Sequence, residues 1–126
     1  MQKLTFEASW DKALPSKDRE RIADIFKETC SQHYPTIKLT PLWQATNHRG
    51  ELLITVLVHN FSGGVFKFNN TKLRYIEKNK VIEEHTFSIP PLSIQPETSM
   101  PWAFIFPVEG LNGQASLVNG NLEFAD

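Results

Sequence analysis

The sequence predicts a mainly β protein: an immunoglobulin-like antiparallel β-sandwich with one N-terminal amphipathic helix. Three observations lead there. Only the segment from about Ser16 to Ser31 repeats its apolar residues at helical spacing. Everything after Thr36 alternates, or runs apolar, in short stretches separated by polar, glycine or proline turns, which is the pattern of a sandwich. The 126 residues fit one domain, for which roughly 100–200 residues is usual. The cysteine and tryptophan spacing of antibody domains is missing, so the prediction is the broader immunoglobulin-like class.

Each element has its own signal. Leu4, Phe6, Ala8 and Trp10 are apolar and their intervening neighbours are not, so a half-buried strand is expected near residues 3–10. The period then changes. Ile22, Ile25, Phe26, Thr29 and Cys30 share one face, and charged residues fill the others. Pro15 or Ser16 supplies the start of this helix, and Pro35 forces its stop. Thr36 to Ala45 is a weak strand, placed at a sheet edge or bent by Pro41. Asn47 to Gly50 is a turn. The run Leu52 to Val58, apolar on both faces and rich in β-branched residues, is the central strand.

Asn60 to Gly64 breaks that strand. Val65, Phe66 and Phe68 lead into a strand around Thr71 to Glu77, with Leu73 and Tyr75 on one face. Glu77 to Lys80 is a polar hairpin tip, and Val81 to Ile89 returns from it. Pro90-Pro91 ends that segment. The last strong strand is Met100 to Phe106, closed by Pro107, with Trp102, Phe104 and Phe106 on one face. Residues 1–107 are thus expected to form the sandwich domain. Residues 108–126 form a glycine-containing tail, expected either to add one short strand near Leu122 to Phe124 or to stay mobile.

Composition excludes several functions. The 13 Lys and Arg against 14 Asp and Glu form no pole of either sign, so nucleic acid is not an expected partner. The longest apolar run, Leu52 to Val58, contains Thr55 and spans only seven residues, against about 20 for a spanning helix, so no membrane insertion is expected. The N-terminus has no apolar signal-peptide core, and the single cysteine, Cys30, permits no internal disulfide. A cytoplasmic location is the resulting expectation. Cys30 is read as a buried, inert thiol on the helix's apolar face.

No catalytic constellation emerges. His33, His48, His59 and His85 lack the paired spacing of metal ligands, and there is no phosphate loop, so no metal, cofactor or reaction is expected. Glu83 and Glu84 are adjacent on a strand, point to opposite faces and read as a solvated pair. Trp102 reads as core. Trp43 lies on the weak strand; burial under the helix is the structural reading, and exposure on an edge would make it a partner anchor. Trp43, Phe61 and Phe66 are therefore the candidate partner-binding residues.

Four stretches carry a family resemblance. They are Leu4-Thr5-Phe6-Glu7-Ala8-Ser9-Trp10 with its following helix, Glu51 to Asn60, Val65-Phe66-Lys67-Phe68 leading to Leu73 to Ile76, and Ile94-x-Pro96-x-x-Ser99-x-Pro101-Trp102-x-Phe104-x-Phe106-Pro107. Together they resemble the SLAP domain of Gram-positive bacilli, named for S-layer assembly proteins of the accessory Sec system. The chain looks like a single-domain member, whereas those assembly proteins are similar to two such domains in tandem. The Asn79-Lys80 hairpin lacks the glycine often seen there, and no catalytic residues come with the family. The resemblance implies a role beside export or assembly of cell-surface proteins.

The expected function is a non-enzymatic protein-interaction module whose partner is another protein, a secretion component or an exported surface protein. Open sheet edges that accept a strand also suggest a homodimer by edge-strand pairing. The alternative is a small-molecule-binding protein with a pocket between helix and sheet, for which Trp43, His48, His59 and Tyr75 are the candidate residues.

Overall fold

A computed structural model describes residues 1–32, 34–110 and 115–125. Its elements are β1 (Lys3–Leu4), α1 (Ala8–Ala13), α2 (Ser16–Thr29), β2 (Ile37–Thr46), β3 (Leu52–Asn60), β4 (Phe66–Lys67), β5 (Thr71–Glu77), β6 (Lys80–Phe87), β7 (Ser93–Ile94), β8 (Thr98–Phe106), a 3-10 turn at Val108–Gly110, and β9 (Asn121–Phe124). The protein is mainly β. One sheet has the order β1-β8-β3-β2, a second has β6-β5-β9, and β4 pairs with β7.

The alternation of β3 explains the layering. Leu52, Ile54, Val56 and Val58 enter one core together with Phe104 and Phe106 of β8, Leu73 and Tyr75 of β5, and Ile82 and Phe87 of β6. Leu57 points to the other face, where it packs with Leu42 of β2 and Ile22 of α2. β3 therefore carries apolar residues on both faces because it is covered twice, by the second sheet and by the helix. It pairs with β2 and β8 along its whole length, as the central position requires.

β2 is the edge strand expected from Pro41, and its register shifts between Pro41 and Trp43. At the turn that follows, Gly50 takes φ 83°, and the Asn47 side chain accepts from the Arg49 and Glu51 amides at 3.0 and 3.1 Å. The β5–β6 hairpin turns through Lys78 and Asn79, both left-handed (φ 50° and 65°). A turn of this hand usually takes glycine at its second position, and here asparagine adopts that conformation instead.

The N-terminus corrects the expected strand over residues 3–10. Only Lys3 and Leu4 form a strand, and Trp10 lies in the short helix α1, so two helices stand among the described residues where one was expected. Glu7 caps α1: its carboxylate accepts from the Ser9 amide at 2.9 Å and also from the Ser9 hydroxyl. Four alternating residues are too few to exclude one helical turn, and the cap decides it. β1 runs parallel to β8, the one departure from an antiparallel arrangement among the described strands. Its ladder ends early for a local reason. The Thr5 N–H donates to the Ser99 carbonyl at 2.9 Å, and the next rung would need an N–H at Pro101, which has none.

α2 starts after Pro15, which occupies the cap position without a side-chain hydrogen bond, and ends at Thr29 instead of Ser31. The tail returns to the sheet through β9, which pairs with β5. A Cβ at Gly120 would lie 2.2 Å from the Tyr75 hydroxyl oxygen, so only glycine lets the tail approach this closely. The residues between the 3-10 turn and Ala115 lie outside the described set.

Trp102 is half-buried instead of fully enclosed. It packs on the rim of the main core, and its ring stacks on that of Trp10 with centroids 6.4 Å apart. Trp102→Ala is expected to cost about 3 kcal/mol, the low end for a large aromatic, because part of the site is open to water. An unchanged urea midpoint would contradict this.

Candidate functional site

The helix-bearing face of the first sheet holds an apolar groove of about 350 Å³. Its walls include Trp10 and Leu14 from α1 and its exit, Trp43 of β2, Leu53 and Thr55 of β3, and Ala103 of β8. Three local devices build it. The Glu7 cap turns the chain into α1 and so carries Trp10 over the sheet. The β2 bulge displaces Trp43 from regular register. The small Ala103 side chain leaves the floor low. None of the described walls is ionisable, and only Ser9 and Thr55 bring hydroxyls.

Beyond Trp102 the outer edge of β8 is uncovered. Backbone N–H and C=O of one strand residue point to the same side, and successive residues alternate. Ser99 directs its carbonyl toward β1. Ala103 and Ile105 therefore point theirs the same way, past the end of β1, where no described residue pairs with them. The Ile105 side chain is 49% exposed. On the side of this edge that faces the second sheet lies another depression of about 400 Å³, bounded by Trp102, Ile105, His85, Phe87 and Ile89. Ala103 borders both depressions.

A Ser–His pair also exists, but buried. The His59 Nδ1 lies 2.6 Å from the Ser99 Oγ, and its Nε2 lies 2.8 Å from the Thr29 Oγ1. The Thr29 hydroxyl donates to the Ile25 carbonyl at 2.7 Å, so it accepts from Nε2–H; this leaves Nδ1 to accept from Ser99. The Gln2 amide donates to the Ser99 Oγ in turn, at 3.0 Å. Ser99 and His59 are both 0% exposed. The relay ties α2 to β3, β8 and the N-terminus without access for a substrate. Burial, with the Lys38 charge nearby, pushes the imidazole down to about 4.

The sequence-derived candidates do not converge. Trp43 is half-buried beside the groove. Phe61 stacks on His59 at 5.1 Å, and Phe66 packs edge-on against Phe68 at 5.0 Å, in the other layer. Of the residues expected to line a helix–sheet pocket, only Trp43 does so. Tyr75 is sealed in the main core, donating to Glu77 at 2.6 Å, and His48 is exposed on a turn. Cys30 is half-buried at the end of α2. His33 lies outside the described residues.

The Glu83–Glu84 reading is corrected on one member. Glu84 is exposed and ion-paired with Arg74 at 3.0 Å, but Glu83 is 0% exposed, and neither of its oxygens has a hydrogen-bond partner among the described residues. The register shift between Tyr75 and Ile76 accounts for it, because the bulge lets successive residues of β6, Ile82 and Glu83, both turn inward. Burial, with the Glu109 carboxylate nearby, pushes Glu83 up to about 7. Glu77 has the opposite environment. Burial raises its carboxyl, but donors from Tyr75, Ser116 and Leu117 outweigh that and hold it below the ordinary range.

No group of three or more His, Cys, Asp and Glu suited to a metal occurs among the described residues, and none of their helices is long and apolar enough to cross a membrane. Sequence reasoning missed Trp10, Ala103 and Ile105 as surface-forming residues. One signal was available: a proline inside a strong strand, here Pro101, marks an edge position.

No curated protein and no solved structure matches the chain. A family model, the SLAP domain, matches residues 4–120, running past Pro107 into the tail that closes on β5. The chain belongs to the SLAP domain family.

Proposed function

We propose that this chain is a non-enzymatic, cytoplasmic protein-interaction module, an immunoglobulin-like sandwich that assists accessory-Sec export or assembly of cell-surface proteins. The observation that carries the reading is the character of the helix-bearing face. Two half-buried tryptophans, Trp10 and Trp43, flank an apolar groove free of ionisable walls among the described residues, beside an unpaired strand edge. Aromatic anchors in a partly desolvated setting are what protein recognition uses, whereas hydrolytic or transfer chemistry needs positioned acids, bases or nucleophiles with access to substrate. The Ser99–His59 pair is sealed, which withdraws the pairing that could have served as a nucleophile and base. Membership of the SLAP domain family supports the export context of this proposal.

The test is affinity capture from a bacillus lysate with wild-type protein and Trp43→Glu side by side. Recovery of the accessory secretion ATPase or a surface-layer protein by wild type, reduced at least tenfold by the variant, is the expected result. Failure of repeated captures to enrich either class would overturn the reading.

A small-molecule binder is the second reading, because the groove's 350 Å³ lies within the roughly 300–1,000 Å³ of ligand pockets. Its scarcity of polar groups favours an apolar ligand. Quenching of tryptophan emission by an environment-sensitive apolar dye, abolished in Trp43→Glu, would separate this reading from the first.

A further inference from the structure

We infer that the free edge of β8 at Ala103 and Ile105 receives an extended, uncharged apolar segment of another polypeptide, which adds as a strand where β1 leaves off. The inference rests on the interaction-module reading and deepens it by naming the site and the chemistry of the partner. Strand addition needs unpaired backbone groups in register, and here two residues present both an N–H and a C=O outward. It also needs room for side chains on both faces, since those of an incoming strand alternate. The edge supplies that. The Trp10–Trp43 groove lies on the helix side, the depression by Trp102, Phe87 and Ile89 lies on the side that faces the second sheet, and Ala103 borders both.

The charge of the site selects the occupant. Across both depressions His85 is the only ionisable wall among the described residues, so a charged side chain would lose its water and gain no counter-charge. An uncharged apolar residue loses nothing there. Protective devices usual on edges are absent at this stretch. Ala103 and Ile105 carry no charge, and Pro101 stands before them, where it ends the β1 ladder and leaves both residues free to pair. The stacked Trp10 and Trp102 rings mark the inner end of the site. Continuity with β1 sets the strand position, because the added segment occupies the same place in the sheet.

The experiment monitors backbone amide NMR signals while the full chain is titrated with the blocked peptide acetyl-Thr-Val-Ile-Val-Thr-amide to millimolar concentration. The expected result is shifts confined to Ala103, Ile105 and their neighbours, with the Trp10 and Trp102 indole signals moving in parallel. The same peptide methylated on its amide nitrogens should bind at least tenfold more weakly. Ile105→Lys, at a half-exposed side chain, should remove the shifts while the unfolding midpoint stays near wild type. If that variant does not fold, the methylated peptide on wild-type protein decides alone. Equal binding of both peptides overturns the inference, as does movement of the same amides with protein concentration and not with peptide, which would make the occupant a second copy. Shifts centred on the β2 edge overturn this site but leave the interaction-module reading standing. No shift anywhere overturns strand addition, and the broader reading then rests on the capture experiment.

Discussion

Phe104→Ala is expected to lower the unfolding free energy by about 3–5 kcal/mol, enough to consume a large share of a small domain's stability. Phe104 is 0% exposed and stands where the two sheets meet. Its ring lies 5.1 Å from Phe68 and 5.2 Å from Phe87, and Phe87 lies a further 5.1 Å from Phe106. Truncation opens a cavity between strands of two separate sheets, which cannot close by a side-chain rotation alone. The result should appear as a fall in the urea midpoint at unchanged slope. Ile105→Ala on the adjacent, half-exposed position serves as the reference and should cost much less. Equal effects at the two positions would contradict the assigned strand faces.

The second large effect is in the pH dependence of stability. His59 is held down to about 4 from an ordinary 6.5, so its contribution is complete above pH 6.5 and is lost as pH falls through about 4. Glu83 is pushed from 4.5 up to about 7, so its contribution is complete below pH 4.5 and is lost as pH rises through about 7. At about 1.4 kcal/mol per pKa unit, each amounts to something on the order of 3 kcal/mol. Between about pH 4.5 and 6.5 the two slopes oppose one another. Wild-type stability should therefore be nearly flat over that window. Glu83→Gln should leave a curve that rises with pH across it, and His59→Gln one that falls. Urea midpoints measured at half-unit pH intervals would show this, and variant curves parallel to wild type would contradict it.

The buried acid pair also explains how the C-terminal segment is held. Glu77 receives donors from Tyr75, Ser116 and Leu117, which places its charge in a satisfied setting. Glu83, on the returning strand of the same hairpin, meets the backbone of Gly110 instead. A Cβ at Gly110 would lie 2.6 Å from its Oε2. One carboxylate is thus stabilised by the returning chain, and the other is kept from solvent by it.

The sequence alone determined the parts whose signal is local and repeated. A seven-residue apolar run on both faces left β3 no other position than the centre. Pro41 placed β2 at an edge or bent it, and β2 is both; the Glu77–Lys80 turn joined two strands of the second sheet. The α2 face was legible because Ile22, Ile25 and Phe26 recur over several turns. Tertiary structure decided the rest, wherever a few residues had to choose between periods or faces. Trp10 went to a helix because a Glu7 cap outweighed a short alternation. Glu83 went inward because a bulge in its hairpin cancelled strict alternation. The free edge of β8 depended on where β1 stops, and that depends on Pro101 meeting a strand from the far end of the chain. Periodicity reports which face a residue shares with its neighbours in sequence; which partner covers that face is set by contacts that no local window contains.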